Sequence, residues 1–213
     1  EQVIMSGYPR NDVFFNKDKD SGKNDYLGKY KYKKLYLYLP TFRSNKTLDQ
    51  TLHDSGYDES KMNSLMKEVD GIFVIKGHFA SGNSNSNLSR IVTIDGDEFF
   101  DINSFMMHAD VLLTDYSGCY FDFLCLNKPI ILTPFDIEEY TSLDRELYFN
   151  YSEIASGPIA KKWEDVYFHI LDFEKKSDEY LDKRKRMNAY FNYFQDGGSS
   201  KRVRDSILKL INF

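Results

Sequence analysis

Short apolar runs recur between residues 34 and 133, separated by segments whose apolar positions follow helical spacing. Because each run is apolar throughout and does not alternate with polar residues, it predicts a strand buried on both faces, as in a parallel sheet. Strands that alternate with helices in this way predict a doubly wound, mainly parallel, Rossmann-like α/β domain. The predicted strands are residues 34–39, 71–75, 90–94, 110–114 and 128–133.

Helical spacing predicts helices over 59–69, 101–109 and 117–126 between these strands. Beyond the α/β core of residues 35–134, the Tyr-rich segment 135–158 is predicted to be irregular, and helices are predicted over 163–173, 177–194 and 199–211. Residues 1–34 form an entry segment, and 16–29 and 81–89 are loops by composition. We therefore expect a single domain over residues 1–213.

Polar residues follow the predicted strands, and the carboxyl ends of parallel strands meet at one edge of a sheet. Ser117 opens a predicted helix, whose N–H groups and dipole favour an anion, and Gly118 permits close approach to the backbone. This combination predicts a phosphate site. Its candidate residues are Pro40, Thr41 and Arg43 after the first strand, Lys76, Gly77 and His78 after the second, and Asp115, Ser117 and Gly118 after the fourth.

Structural alternatives stay open for these residues. Ser117 could serve only as a helix cap, and His78 could be a structural histidine. Arg43 and Lys76 could be solvent-exposed cations. Asp115 could be a capping or surface-pairing residue, and the same holds for Asp122 of the predicted 117–126 helix. The prediction of a phosphate site therefore depends on the joint position of these residues at the strand ends and not on any one of them.

Composition excludes several classes of protein. The chain has 213 residues, of which 41% are hydrophobic and 29% charged, as is typical of a globular domain. No apolar run approaches the roughly 18 residues that a membrane span needs. The two cysteines fit neither a disulfide framework nor a zinc site, and the histidines lack metal-ligand spacing. We expect no metal and no other cofactor.

Charge is distributed unevenly. Residues 160–213 carry 12 Lys and Arg against nine Asp and Glu, whereas the first 159 residues carry 16 against 24. The basic clusters at 183–186 and 201–204 are interpreted as solvated helix faces, with contact to anionic lipid or a polyanionic product as the alternative. Because the net charge is −5 and no binding motif accompanies these clusters, nucleic acid is not an expected partner.

Six short motifs occur in order along the chain. They are GYPRND at 7–12, LPTFR at 39–43, IKGH at 75–78, ADVLLTDYS at 109–117, FDF at 121–123 and KPII at 128–131. Together they resemble the CDP-glycerol glycerophosphotransferase family of teichoic acid and capsule polymer synthesis. The resemblance extends from Gly7 to about Asp205.

The resemblance implies a two-domain GT-B glycosyltransferase architecture, of which this chain would be the C-terminal, donor-binding half. The donor's nucleotide and pyrophosphate would then contact the Pro40-Thr41 turn, the strand end at 76–78 and the Ser117-Gly118 helix start. Arg10 and Asp122 are further donor contacts that only the resemblance supplies.

The same resemblance implies transfer of glycerol phosphate, or a related polyol phosphate, from a CDP-polyol to a hydroxyl of a growing or lipid-linked polymer, with release of CMP. His78 would stabilise or protonate the leaving phosphate, and Arg43, Lys76 and the Ser117 helix start would neutralise charge. The expected location is the bacterial cytoplasm, with peripheral contact to the cytoplasmic face of the membrane left open.

Two alternatives remain: a nucleotide-sugar glycosyltransferase of the same architecture, and a nucleotide-binding module without activity. The chain starts at Glu1 without an initiator Met, and it lacks the His-Gly-Thr type of motif that the resemblance places in an N-terminal acceptor domain. We therefore expect a folded donor-binding domain, separated from its acceptor domain, that does not turn over by itself.

Overall fold

The computed structural model describes residues 3–15, 27–77, 89–94 and 101–211. Within these residues five strands form one parallel sheet in the order β3-β2-β1-β4-β5. The predicted doubly wound α/β class is confirmed, and the ends of the five predicted strands differ by at most two residues from the observed ones. The strands are β1 (Lys34–Leu39), β2 (Gly71–Lys76), β3 (Ile91–Ile94), β4 (Val111–Thr114) and β5 (Ile130–Leu132).

Helices cover the sheet and continue beyond it. Short 3₁₀-helices occupy Pro9–Phe15 and Leu124–Leu126. The α-helices of the described residues are α1 (Leu48–Asp54), α2 (Glu59–Glu68), α3 (Ile102–Met106), α4 (Cys119–Phe123), α5 (Ile137–Leu143), α6 (Tyr151–Ile154), α7 (Trp163–Lys175), α8 (Leu181–Phe191) and α9 (Ser199–Ile211).

Both faces of the sheet are buried, which explains why its strands are apolar throughout. Leu35 and Leu37 of β1 lie in a cluster with Phe123 of α4 on one face. Tyr36 and Tyr38 lie in a cluster with Trp163 of α7 on the other face. Because successive side chains of a strand point to opposite faces, covering both faces favours apolar residues at successive positions.

The structure corrects several helix predictions. Helix α1 was not predicted, although Thr47 and Gln50 form a capping box at its start, with Gln50 N donating to Thr47 Oγ1 at 3.2 Å. The prediction that 135–158 is irregular is wrong, because α5 and α6 lie there. The acidic first turn of α5, with Glu138 and Glu139, complements the helix dipole and was a readable signal.

Three predicted helices are shorter in the structure. The helix predicted over 101–109 is α3 (Ile102–Met106), and the one predicted over 177–194 is α8 (Leu181–Phe191). The helix predicted over 117–126 begins at Cys119 and tightens into the 3₁₀-helix Leu124–Leu126, after which Asn127 has a φ of 51°. An αL residue at that point stops helix propagation. Of the predicted loops, residues 16–26 and 81–88 lie outside the described residues.

The start of α9 is capped by a residue from the opposite end of the chain. Both carboxylate oxygens of Asp12 accept backbone hydrogen bonds, from Ser199 N at 2.9 Å and Ser200 N at 2.7 Å. Burial opposes ionisation of Asp12, but the hydrogen bonds from Ser200 and Ser199 outweigh it and hold its pKa below the ordinary value. The local sequence around residues 197–200 does not reveal this long-range contact.

Asp12→Ala should lower the free energy of unfolding by about 1 kcal/mol at pH 7, because two amides at the start of α9 lose their acceptor. A depressed pKa contributes stability above the unfolded value of about 3.9, and this contribution is lost as pH falls through the folded value. Urea unfolding should therefore show a difference between wild type and D12A that shrinks below about pH 4. Asp12→Asn is the matched control: it keeps an acceptor, so it should recover part of the stability at pH 7.

Candidate functional site

The candidate site lies at the carboxyl ends of β1 and β4. The order of strands reverses between these two, and open α/β sheets bind ligands in the crevice at such a reversal. Thr41 follows β1 and Asp115 follows β4. Asp115 Oδ1 accepts hydrogen bonds from the backbone N–H of Thr41 at 2.8 Å and from its hydroxyl at 2.5 Å. Two predicted site residues are therefore in direct contact.

Arg43 is the centre of a buried ion-pair cluster. Its side chain is 3% exposed, and Nη2 donates to Asp115 Oδ2 at 2.8 Å. Nε and Nη2 donate to the two carboxylate oxygens of Asp136, each at 2.8 Å. Nη1 donates to the carbonyl oxygen of Thr41 at 2.7 Å. The guanidinium thus ties together the segments that follow β1, β4 and β5.

The charge of this cluster changes the role expected for Arg43. One cation faces two carboxylates, so no positive charge is in surplus for a phosphate. Burial opposes the charge of Arg43, but hydrogen bonds and charges from Asp136 and Asp115 raise its pKa. Burial also opposes ionisation of Asp136, yet the bonds from Arg43 keep the pKa of that carboxyl below its ordinary value. The geometry favours a positioning role for Arg43 over direct neutralisation of a ligand.

Tyrosines of the segment after β5 frame the cluster. Tyr116 and Tyr140 stack with ring centroids 4.3 Å apart, and the Arg43 guanidinium lies 4.8 Å from the Tyr140 centroid. Tyr151 donates its hydroxyl to the carbonyl oxygen of Asp115 at 3.0 Å. Asp136, Tyr140 and Tyr151 were not predicted as site residues, and the Tyr-rich composition of residues 135–158 was the available signal.

Ser117 and Gly118 form an open turn before α4. Ser117 Oγ accepts from Cys119 N at 3.4 Å, so it caps only weakly. The backbone N–H groups of Ser117 and Gly118 have no hydrogen-bond acceptor among the described residues. A Cβ added at Gly118 would meet nothing within 4 Å, so this face of the turn is accessible. Two unpaired amides and a hydroxyl suit an anionic oxygen.

Arg10 and Asp122, which the resemblance supplied, are paired with each other. Arg10 Nε donates to Asp122 Oδ2 at 2.9 Å and Nη2 donates to Oδ1 at 3.2 Å. The Asp122 side chain is 6% exposed, whereas that of Arg10 is 54% exposed. A half-exposed guanidinium with N–H groups to spare can still contact a ligand, while the carboxylate fixes its direction.

The strand end of β2 holds the remaining predicted residues. Lys76 is half-buried, and its Nζ donates to the Gly77 carbonyl oxygen at 3.2 Å. A Cβ at Gly77 would lie 3.0 Å from Leu48 Cδ2, so glycine lets α1 pack closely there. Pro40 is buried directly after β1. His78 lies outside the described residues, and its role stays a prediction.

The described residues contain no group of three or more His, Cys, Asp or Glu side chains that could hold a metal ion. In the same part of the chain, no helix combines the length and the apolar character needed to cross a membrane. Cys119 and Cys125 are free, and burial raises the pKa of the Cys119 thiol to about 11.

Comparison with known proteins shows the family of this chain. The model of the family described as CDP-Glycerol:Poly(glycerophosphate) glycerophosphotransferase matches residues 1–209. The chain belongs to this family. It is 32% identical over 214 residues to a teichoic acid poly(glycerol phosphate) polymerase of Bacillus spizizenii, covering 96% of this chain and 53% of the relative. It is 26% identical to a teichoic acid glycerol-phosphate transferase of Staphylococcus aureus, covering 98% and 55%.

Solved structures extend this similarity to the fold. A structure of the wall teichoic acid polymerase TagF with CDPG superposes with a TM-score of 0.78 at 25% identity, covering 98% of this chain and 51% of that one. The C-terminal domain of a group 1 glycosyl transferase from Francisella tularensis shares only the fold, with a TM-score of 0.52 at 12% identity. This member of the glycerophosphotransferase family thus has the α/β domain of GT-B enzymes. It spans about half the length of several relatives that it matches.

Proposed function

We propose that this chain is the donor-binding half of a transferase that moves glycerol phosphate, or a related polyol phosphate, from a CDP-polyol to a hydroxyl of a teichoic-acid-like polymer. Membership of the glycerophosphotransferase family is the observation that carries this proposal. The accessible amides of Ser117 and Gly118 at the strand-order reversal support it, because a pyrophosphate needs such donors.

In the proposed reaction the acceptor oxygen attacks the distal phosphorus of the CDP-polyol. The new P–O bond forms as the bond from this phosphorus to the bridging oxygen breaks, so the polyol phosphate joins the acceptor and CMP leaves. The hydroxyl proton passes to a base. Negative charge grows on the bridging oxygen, and positioned donors and cations lower the barrier.

In the proposed reaction the residues divide these tasks. Ser117 and Gly118 would hold phosphate oxygens, with Lys76 as the neighbouring cation. Arg43 would act through Asp115, which it holds at the base of the Ser117 turn. His78 would stabilise or protonate the leaving phosphate. A lipid-linked acceptor and contact with a membrane surface are further predictions of the family resemblance.

Calorimetric titration with CDP tests the donor site. We expect a dissociation constant below about 1 mM for the wild-type chain. Ser117→Ala should weaken binding about three- to tenfold, because it removes one hydrogen bond and leaves the amides in place. Ser64→Ala is the matched control: this exposed serine of α2 bonds only the Ser60 carbonyl, so its removal should leave CDP affinity unchanged.

Two results would count against the proposal. Absence of heat at millimolar CDP would contradict the donor site. Preference for a UDP-sugar over CDP-glycerol would instead favour the alternative of a nucleotide-sugar glycosyltransferase.

A further inference from the structure

An aromatic cavity of about 250 Å³ adjoins the Ser117 turn. Its wall is built from the turn after β4, from α4, from the end of β5 and from the segment after β5, so it opens beside the proposed phosphate site and not at a distant surface. The residues that line it include Ser117, Tyr120, Tyr140, Arg145, Glu146 and Tyr151.

Two of the wall tyrosines have their hydroxyls committed to the protein. Tyr120 donates to the Ile154 carbonyl oxygen and also bonds the Ser156 hydroxyl at 2.8 Å. Tyr151 donates to the Asp115 carbonyl oxygen at 3.0 Å. Because these bonds fix the rings in place, the cavity presents rigid apolar faces that suit the carbon skeleton of a ligand.

Polar groups without partners line the same cavity. The Arg145 side chain has no hydrogen bond or ion pair among the described residues, unlike the fully committed Arg43. The Tyr140 hydroxyl also has no hydrogen-bond partner in the described part of the chain. Glu146 adds carboxylate oxygens that can accept from hydroxyls. The cavity thus offers a cation for a phosphate, and both a hydrogen-bond donor and a hydrogen-bond acceptor for alcohol groups.

The volume of the cavity limits the size of the ligand that can enter it. Pockets for drug-sized ligands have about 300–1,000 Å³, so a cavity of about 250 Å³ takes a fragment rather than a whole nucleotide. We propose that this cavity is a subsite for one glycerol phosphate unit, with Arg145 on its phosphate, Glu146 and Tyr140 on its hydroxyls and the tyrosine rings against its carbons.

This inference rests on the proposed function, and the unit can come from two sources. It is either the transferable end of the donor or the terminal unit of the acceptor polymer, since both carry the same chemistry. Titrations of the full chain with CDP, CDP-glycerol and a short oligo(glycerol phosphate) separate the two.

Arg145→Gln is the decisive variant, because a charge-assisted hydrogen bond to phosphate is worth about tenfold or more in affinity. For a donor subsite, R145Q should weaken CDP-glycerol about tenfold and leave CDP unchanged. For an acceptor subsite, it should weaken the oligomer about tenfold and leave CDP and CDP-glycerol unchanged. Lys67→Gln on α2 is the matched control, since this cation is also exposed and lies outside both the site and the basic clusters at 183–186 and 201–204.

A second variant tests whether the effect of R145Q on affinity is only that of removing a positive charge. Tyr140→Phe keeps the ring beside Arg43 and removes only the hydroxyl, so it should weaken the same ligand as R145Q by about three- to tenfold. The subsite is overturned if R145Q changes the affinity for none of the three ligands, or if K67Q weakens their binding equally. Absence of CDP binding by the wild-type chain would instead defeat the proposed function, and the oligomer titration would still test the cavity.

Discussion

Arg43→Ala is expected to destabilise the protein by about 3–5 kcal/mol, because it leaves Asp115 and Asp136 without their buried cation. Both carboxylates are at least four-fifths buried, with exposed fractions of 2% and 18%. A loss of this size is a large share of the 5–15 kcal/mol that typically holds a domain folded. Urea unfolding followed by circular dichroism measures it.

Two control variants distinguish the stability lost with the buried cluster from the stability lost with any arginine. Arg204→Ala removes an arginine that is 64% exposed and paired with its neighbour Asp205, so it should cost less than about 1 kcal/mol. Arg43→Lys should recover only part of the stability, because an ammonium cannot bond both oxygens of Asp136 in the same planar geometry. Equal stability of R43A and R204A would refute the structural role assigned to Arg43.

The cluster also predicts a pH dependence. The pKa of Asp136 is depressed in the folded state, so its contribution to stability is present above the unfolded value of about 3.9 and is lost as pH falls through the folded value. This loss should be absent from R43A, since that variant lacks the bonds that depress the pKa.

His78→Ala is expected to lower transfer by about 10²- to 10⁴-fold, the usual contribution of a positioned acid or base. The measurement is CMP release from CDP-glycerol in the two-domain enzyme that the proposal requires. CDP affinity should change little, because the charge that His78 stabilises develops on the bridging oxygen only during the reaction.

His53→Ala is the matched control for this experiment. Its ring is 90% exposed on α1, away from the proposed site, so turnover should stay at the wild-type level. Turnover of H78A near that of wild type would exclude His78 from the reaction. An equal loss of CDP affinity and turnover would assign it to binding instead of catalysis.

Sequence reasoning worked best for the elements whose pattern is local. The runs at 35–39 and 111–113 are apolar at every position, as burial on both faces of the sheet favours. It worked less well where a helix is short. The helices α5 and α6 have seven and four residues, too few for a periodic apolar face to emerge from the abundance of tyrosine.

For the site, the sequence correctly placed Thr41 and Asp115 at one edge of the sheet, since parallel strands share one carboxyl edge. It could not assign their partners. Asp136 lies 93 positions from Arg43 and Asp12 lies 187 positions from Ser199, and no local pattern encodes such contacts. Arg145 was not predicted as a site residue for the same reason: its place in the wall of the cavity that Ser117 also lines follows from the path of the chain after β5.

The sequence alone determined the α/β class, the positions of the strands and the family to which the chain belongs, because hydrophobic spacing and short motifs are properties of neighbouring residues. Only the tertiary structure decided that Arg43 is enclosed by two carboxylates, while Arg145 is exposed and has no ion pair among the described residues. What separates the two arginines is desolvation and the partners that folding brings within hydrogen-bond distance.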